Sequence, residues 1–218
     1  MKNLVVAIDG PAGAGKSTVA QLAARALNYT YIDTGAMYRA VAWKTLQQHE
    51  PVTDELIVRV VRDILVDLRY TGGKTTVSVD GRDITGEIRT PEVSGIVSQV
   101  ARLAPVREKM VDLQRKMAER GAVLMDGRDI ASNVLPDADV KIYLTASIEE
   151  RAKRRWKELC EKGYTIELEK LQADIAARDK ADSEREISPL VQAEDAVLLD
   201  TTGMSIDEVV QAILKMCR

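Results

Sequence analysis

Gly10-Pro11-Ala12-Gly13-Ala14-Gly15-Lys16-Ser17 is the stretch from which the chain is read. It fits G-x-x-x-x-G-K-[ST], a loop that cradles phosphate groups. The apolar run Leu4-Val5-Val6-Ala7-Ile8 precedes it, and Thr18 to Leu27 follows with Val19, Leu22, Ala23 and Ala26 at helical spacing. A strand, the loop and then a helix is the context the motif requires. Glycines let the backbone close around oxygen atoms, because no Cβ intrudes. Amide N–H groups then converge at a helix N-terminus, which adds positive potential. In that setting Lys16 reaches the β- and γ-phosphates of a nucleoside triphosphate, and Ser17 is the hydroxyl ligand for Mg²⁺.

Working outward, the apolar runs near 4–9, 29–32, 122–126, 140–144 and 196–200 read as core strands separated by helices. That alternation predicts an α/β fold with a five-stranded, mainly parallel sheet flanked by helices on both faces. Asp33 or Thr34 caps a helix running to about Gln48, and Thr53 caps another to about Asp63. The texture changes near 65–85, where apolar and polar residues alternate. Gly72-Gly73 and Asp80-Gly81 mark turns, and Ile84-Thr85 suggests a third short strand. This predicts a small antiparallel insert. Helices are expected at 92–101, from Pro105 to about Arg120, at 147–162, onward to about Asp182, and after Ser205.

Composition narrows the function classes. The chain has 218 residues, of which 45% are hydrophobic, so a sizeable core is affordable. It contains no Phe, so Ile, Leu, Val and Met must fill that core. A net charge of −3 argues against a dedicated nucleic-acid binder. The two cysteines, Cys160 and Cys217, have no metal-like spacing and read as reduced thiols. No signal-like segment and no membrane-length apolar run is seen, and a cytoplasmic protein is expected. The single histidine, His49, lies in a polar stretch, so histidine-based catalysis is not expected.

Ligands of such sheets gather beyond the carboxyl ends of the strands, where Asp9, Asp33, Asp126 to Asp129 and Thr145 fall. Arginines concentrate at strand ends and loops: Arg39, Arg107, Arg128, Arg178 and Arg185. Forked guanidiniums suit the neutralisation of two phosphates brought together. Each has a plainer reading on spacing alone. Arg39 and Arg107 read equally as surface charges on helices, and Arg128 as a structural residue. Asp126 reads as a water-mediated Mg²⁺ ligand or as a turn cap. Arg178, Asp182 and Arg185 fall on one helical face, as a salt-bridge ladder also would. The basic stripe Arg151 to Lys157 is either a solvated face or a lid over a triphosphate.

Seven segments in this order resemble the bacterial cytidylate kinase family: G-P-A-G-A-G-K-S-T at 10–18, D-T-G-A-M-Y-R at 33–39, G-E-I-R-T at 86–90, S-Q-V at 98–100, P-V-R at 105–107, D-G-R-D at 126–129 and R-D-x-x-D-x-x-R at 178–185. The resemblance covers nearly the whole chain. It implies a P-loop kinase core (1–37, 121–150, 186–218), a monophosphate-binding region (38–120) with a β-rich insert, and a helical lid (151–185). The implied reaction is Mg²⁺-assisted transfer of the γ-phosphoryl of ATP to CMP or dCMP, by a monomer without nucleic-acid or membrane partners. Residues Gly10, Pro11, Ala12, Gly13, Ala14, Gly15, Lys16, Ser17 and Thr18 would bind ATP, with Arg151, Arg154 and Arg155 at the lid. Arg39, Arg128 and Arg185 would hold the acceptor phosphate and, with Lys16, form the catalytic set. Ser98, Arg107 and Asp129 would read cytosine; Tyr38, Arg178 and Asp182 would address the sugar. Thr34 stands where the family commonly has Ser and joins the acceptor set. The metal would be held by Ser17, with Asp33 or Asp126 through water. Two other classes compete with this reading: a P-loop kinase for UMP, AMP or shikimate, and a nucleotide-switch protein. No Asn-Lys-x-Asp motif of guanine-selective switches is present.

Overall fold

The computed structural model describes residues 3–218. Strands β1 (Val5–Asp9), β2 (Thr30–Asp33), β6 (Val123–Asp126), β7 (Val140–Thr145) and β8 (Val197–Asp200) form one sheet in the order β2-β6-β1-β7-β8. Every pairing within it is parallel, with Ile8 opposite both Asp126 and Ile142. The central strands are buried on both faces, which is why they read as continuous apolar runs rather than as alternation. On one face, α1 (Lys16–Leu27) and α8 (Ile206–Met216) cover Val6, Ile8, Leu124, Ile142 and Leu144. On the other, α5 (Ala104–Ala118) and a π-helical turn (Ile130–Val134) cover Ala7, Ile32, Val123 and Met125. Ile, Leu, Val, Ala and Met fill the core, as the lack of Phe requires.

The remaining elements build a second core around α2 (Thr34–Leu46). Asp33 accepts a hydrogen bond from the Ala36 N–H at 2.9 Å and so caps this helix. Met37, Ala40, Val41 and Trp43 are buried by α3 (Asp54–Asp63), α4 (Pro91–Arg102), α5 and strand β4 (Lys74–Val79). Helix α2 is thus apolar nearly all round, as a helix at the centre of a core must be. Strand β4 pairs antiparallel with β3 (Val66–Thr71) and β5 (Arg82–Asp83). The third strand of this insert falls two residues before the expected Ile84-Thr85. The Thr85 hydroxyl oxygen accepts the Val77 N–H at 2.9 Å, which ends the backbone ladder, and Ile84 turns into the core.

Helices α6 (Ile148–Glu161) and α7 (Leu168–Glu184) pack on each other through Ala152, Leu159, Leu171 and Ile175. Cys160, in the last turn of α6, is exposed; Cys217 is buried, and both thiols are free. Strand β8 is the open edge of the sheet, and Val197 and Leu198 are exposed on it. Among the described residues no helix is long and apolar enough to cross a membrane.

Gly10 fixes where the loop leaves β1. Its φ is +148°, and an added Cβ would lie 1.9 Å from the Leu144 carbonyl oxygen of β7. That oxygen belongs to backbone inside the sheet, so it cannot give way. Gly10→Ala is expected to cost ~2 kcal/mol and to lower the thermal midpoint by about 5 °C. Calorimetric unfolding of the variant beside the wild type measures it.

Candidate active site

At the carboxyl ends of the strands lies a cavity of ≈ 600 Å³. Gly13 to Thr18 of the loop form one wall; Asp33, Thr34, Tyr38, Arg39, Ser98, Arg128, Asp129, Arg178, Asp182 and Arg185 are among the residues that line the others. Sequence-distant guanidiniums therefore do converge opposite Lys16. Arg154, Arg155 and Lys157 of α6 also line it, so that stripe is not simply a solvated face.

Lys16 is 5% exposed, and its ammonium donates to the carbonyls of Gly10 (2.7 Å) and Pro11 (2.8 Å). Burial, then the nearby Arg128 guanidinium, pull its pKa well below the usual lysine value. Ser17 donates its hydroxyl to Asp126 at 3.1 Å, and Tyr31 donates to the other Asp126 oxygen at 2.7 Å. Burial, reinforced by the Asp33 carboxylate, pushes Asp126 up to about 6. Asp9 is also pushed to about 6 by burial, although it accepts the N–H groups of Ile130 and Ala131, each at 2.8 Å. Those two bonds start the π-helical turn and so set the direction of the chain after Asp129.

The acceptor side is a chain of ion pairs. Arg128 meets Asp182 at 2.8 Å, and Ser98 donates to the other Asp182 oxygen at 3.3 Å. Arg107, 3% exposed, pairs with Asp129 and stands 5.7 Å from the centroid of the Tyr38 ring. It lies behind Asp129 rather than on the cavity wall. Arg185 reaches the second Asp129 oxygen at 3.2 Å and donates to the Ser188 carbonyl at 2.6 Å. It follows the end of α7 in extended backbone, so the face expected to carry Arg178, Asp182 and Arg185 breaks before its last member. The Nε atoms of Arg39 and Arg178 are buried with no hydrogen-bond partner among the described residues. Burial and the neighbouring Arg128 and Arg39 push Arg178 down to about 9. Gly35 leaves space for Arg39, whose Nη1 would be 2.8 Å from a Cβ there.

Gly10, Pro11 and Ala12 precede the part of the loop that faces the cavity, and other residues stand off its wall or carry more than the sequence suggested. Arg151 is buried beneath the loop, where it donates to the Ala12 carbonyl (2.9 Å) and pairs with Asp179. Arg89, within a quoted motif but given no role, lines the cavity and pairs with Asp33 at 2.7 Å. Asp179, also within a quoted motif but given no role, accepts the Ala12 N–H at 2.9 Å.

Ser17, Asp126 and Asp33 offer a hydroxyl and carboxylates at one point. Hard oxygen donors of this kind fit Mg²⁺, which binds one or two carboxylates and keeps several waters.

Asp126 also sets a pH dependence. Its folded value lies above the unfolded one near 3.8, so the native state holds the proton more tightly. Stability therefore falls as pH rises from about 4 to 6 and stays reduced above. Asp126→Asn keeps the Tyr31 bond on its oxygen, turns the Ser17 contact round so that the amide donates to the hydroxyl, and removes the charge. Without nucleotide or divalent cation it is expected to melt higher than wild type at pH 7.5, the difference vanishing towards pH 4. Thermal unfolding across that range checks it.

Comparison with known proteins agrees with this architecture. The family model described as Cytidylate kinase matches residues 6–218. A cytidylate kinase of Lysinibacillus sphaericus (strain C3-41) is 53% identical over 216 residues, covering 99% of this chain and 96% of that protein. One from Desulfitobacterium hafniense (strain Y51) is 52% identical over 216 residues, with 99% and 93% covered. The crystal structure of an uncharacterized protein from Eubacterium ventriosum ATCC 27560 shares the fold, with a TM-score of 0.55 at 13% identity over 98% of this chain and 97% of that one. On the family match and these relatives together, the chain belongs to the cytidylate kinase family.

Proposed function

We infer that the protein transfers the γ-phosphoryl group of ATP to CMP and dCMP, giving CDP or dCDP and ADP. One observation carries the reading beyond family membership: Arg39, Arg128, Arg178 and Arg185 share a single cavity with Lys16 and the amides of Gly13 to Thr18. Such a cavity takes two phosphate chains face to face. The loop and Lys16 hold the triphosphate, with Lys16 exchanging its two carbonyl partners for phosphate oxygens. Arg39, Arg128 and Arg185 orient the acceptor phosphate, and Arg154 and Arg155 cover the donor. Ser98 and Asp129 read the base, with Arg107 holding Asp129 from behind; Tyr38, Arg178 and Asp182 read the sugar, with Thr34 at the acceptor side. Mg²⁺ supplies charge neutralisation on the triphosphate when bound, and Ser17 with Asp126 or Asp33 through water would hold it.

The acceptor needs little activation. A nucleoside monophosphate loses its second proton near pH 6, so its attacking oxygen is already anionic at neutral pH. No general base is required, which suits a site whose cavity lining contains no histidine. Catalysis then comes from positioning and from charge placed where negative charge is shared in the transition state.

Cytosine presents an amino donor where uracil presents a carbonyl. Asp129, with Arg107 on one oxygen and Arg185 on the other, is an acceptor fixed in place. Facing uracil it opposes oxygen to oxygen, and a buried mismatch of that type is the kind that discriminates strongly. The segments 38–120 and 151–185 serve in this reading as the monophosphate-binding region and the lid, and the active unit is a monomer. UMP, AMP and shikimate are the competing acceptors.

A coupled ADP-release assay across CMP, dCMP, UMP, AMP and shikimate tests the assignment; turnover led by UMP, AMP or shikimate would refute it. Lys16→Ala is expected to lower kcat by about 10² or more without lowering the melting temperature, since the lost ammonium is one that burial disfavours. Asp129→Asn is expected to narrow the CMP-over-UMP preference more than it changes the KM for ATP. An unaltered preference would remove Asp129 from base reading.

A further inference from the structure

The two peptide groups that flank Ala12 are held by the two helices that follow β7, one by each. The Ala12 N–H donates to Asp179 of α7 at 2.9 Å, and the Ala12 carbonyl accepts from Arg151 of α6 at 2.9 Å. Arg151 and Asp179 pair with each other, closing a triangle, and Arg151 also donates to the Ala146 carbonyl at 2.9 Å. Ala12 and Arg151 are both buried and stand outside the cavity wall, so the triangle sits behind the loop and leaves Gly13 to Thr18 facing inward.

Position makes this grip more than a brace. Asp179 follows Arg178, which lines the acceptor side. One turn further along α7, Asp182 holds Arg128 and Ser98. The same rigid helix therefore fastens at one level to the donor loop and at the next to the acceptor groups. Ala12 is followed by Gly13 at positive φ, so the peptide joining them turns easily unless Arg151 holds its carbonyl.

We propose that Asp179 is a positioning residue which, with Arg151 and the peptides flanking Ala12, couples acceptor binding to the geometry of the phosphate loop. An acceptor nucleotide that engages Arg178 and Asp182 sets α7, and α7 sets the peptides flanking Ala12 and the amides after them. Donor and acceptor then bind more tightly together than apart. This rests on the kinase reading above.

The test measures binding of CMP and of a non-hydrolysable ATP analogue by titration calorimetry, each alone and each with the other saturating. Wild type, Asp179→Ala, Asp179→Asn and Arg151→Lys are compared as full chains, with thermal unfolding recorded for each. In wild type each ligand should tighten the other by the same factor, about ten-fold. In Asp179→Ala that factor should fall to about one, while CMP alone binds within about three-fold of wild type. Asp179→Asn, whose oxygen still accepts from Ala12, should fall between, and it decides the matter if the alanine variant does not fold. A purely structural role would lower the melting temperature and leave the factor intact. That result, or a wild type without coupling, overturns the proposal. A wild type that binds neither CMP nor the analogue sinks the kinase reading first, and this proposal with it.

Discussion

Like charge held close in a place poor in water is the constraint around which this molecule is arranged. Lys16, Arg39, Arg89, Arg128, Arg154, Arg155, Lys157, Arg178 and Arg185 all line one cavity and outnumber its carboxylates. Two such charges a few ångströms apart repel by several kcal/mol at the effective dielectric of a protein surface, roughly 4 kcal/mol at 4 Å. The fold meets that repulsion by threading carboxylates between the cations. Asp182 serves Arg128, Asp129 serves Arg107 and Arg185, and Asp33 serves Arg89. Neutralisation is incomplete at Arg39 and Arg178, whose buried Nε atoms lack hydrogen-bond partners among the described residues, Arg178 reaching Asp182 only at 4.0 Å, and whose pKa values are both lowered. A polyanion completes what the carboxylates begin.

Polar contacts around the same carboxylates tie the packed bodies to one another. The sheet with α1, α5 and α8 is one apolar body, and the cluster around α2 is another. Helix α5 packs on both, Arg89 ties the segment before α4 to Asp33 at the end of β2, Ser98 ties α4 to Asp182 of α7, and Arg107 ties α5 to Asp129. Apolar packing sets the shape of each body, while directional bonds set how one faces the other. A cavity built at that seam inherits its geometry from groups a nucleotide can itself compete for.

What could be read in the chain was local. The phosphate loop, the core strands and the Asp33 and Thr53 caps each announce themselves within a few residues, since strand runs, glycine spacing and caps are short-range chemistry. What could not be read depends on distant partners. The π-helical turn at Ile130–Val134 exists because Asp9, 121 residues earlier, accepts the Ile130 N–H. Arg151 looked like one cation in a basic stripe, and Asp179 like one acid in a charged helix. Their roles arise from Ala12, which Asp179 meets across 167 residues. The early end of β5 is a smaller instance: Thr85 offers a hydroxyl where a backbone carbonyl was expected. Positions of single functional side chains were legible where a motif with known chemistry enclosed them. Contacts made from behind the loop depend on distant backbone, so Asp179 stood inside a quoted motif without a role and Arg151 was assigned to the lid.

The two thiols differ in a way that an experimenter can use. Cys160 is exposed at the end of α6, within the segment 151–185 proposed as the lid, while Cys217 is shielded in the sheet core. A maleimide dye should therefore attach at one place only in the native protein, with no engineered cysteine needed. Its fluorescence would follow the movement of that helix in real time as nucleotides arrive.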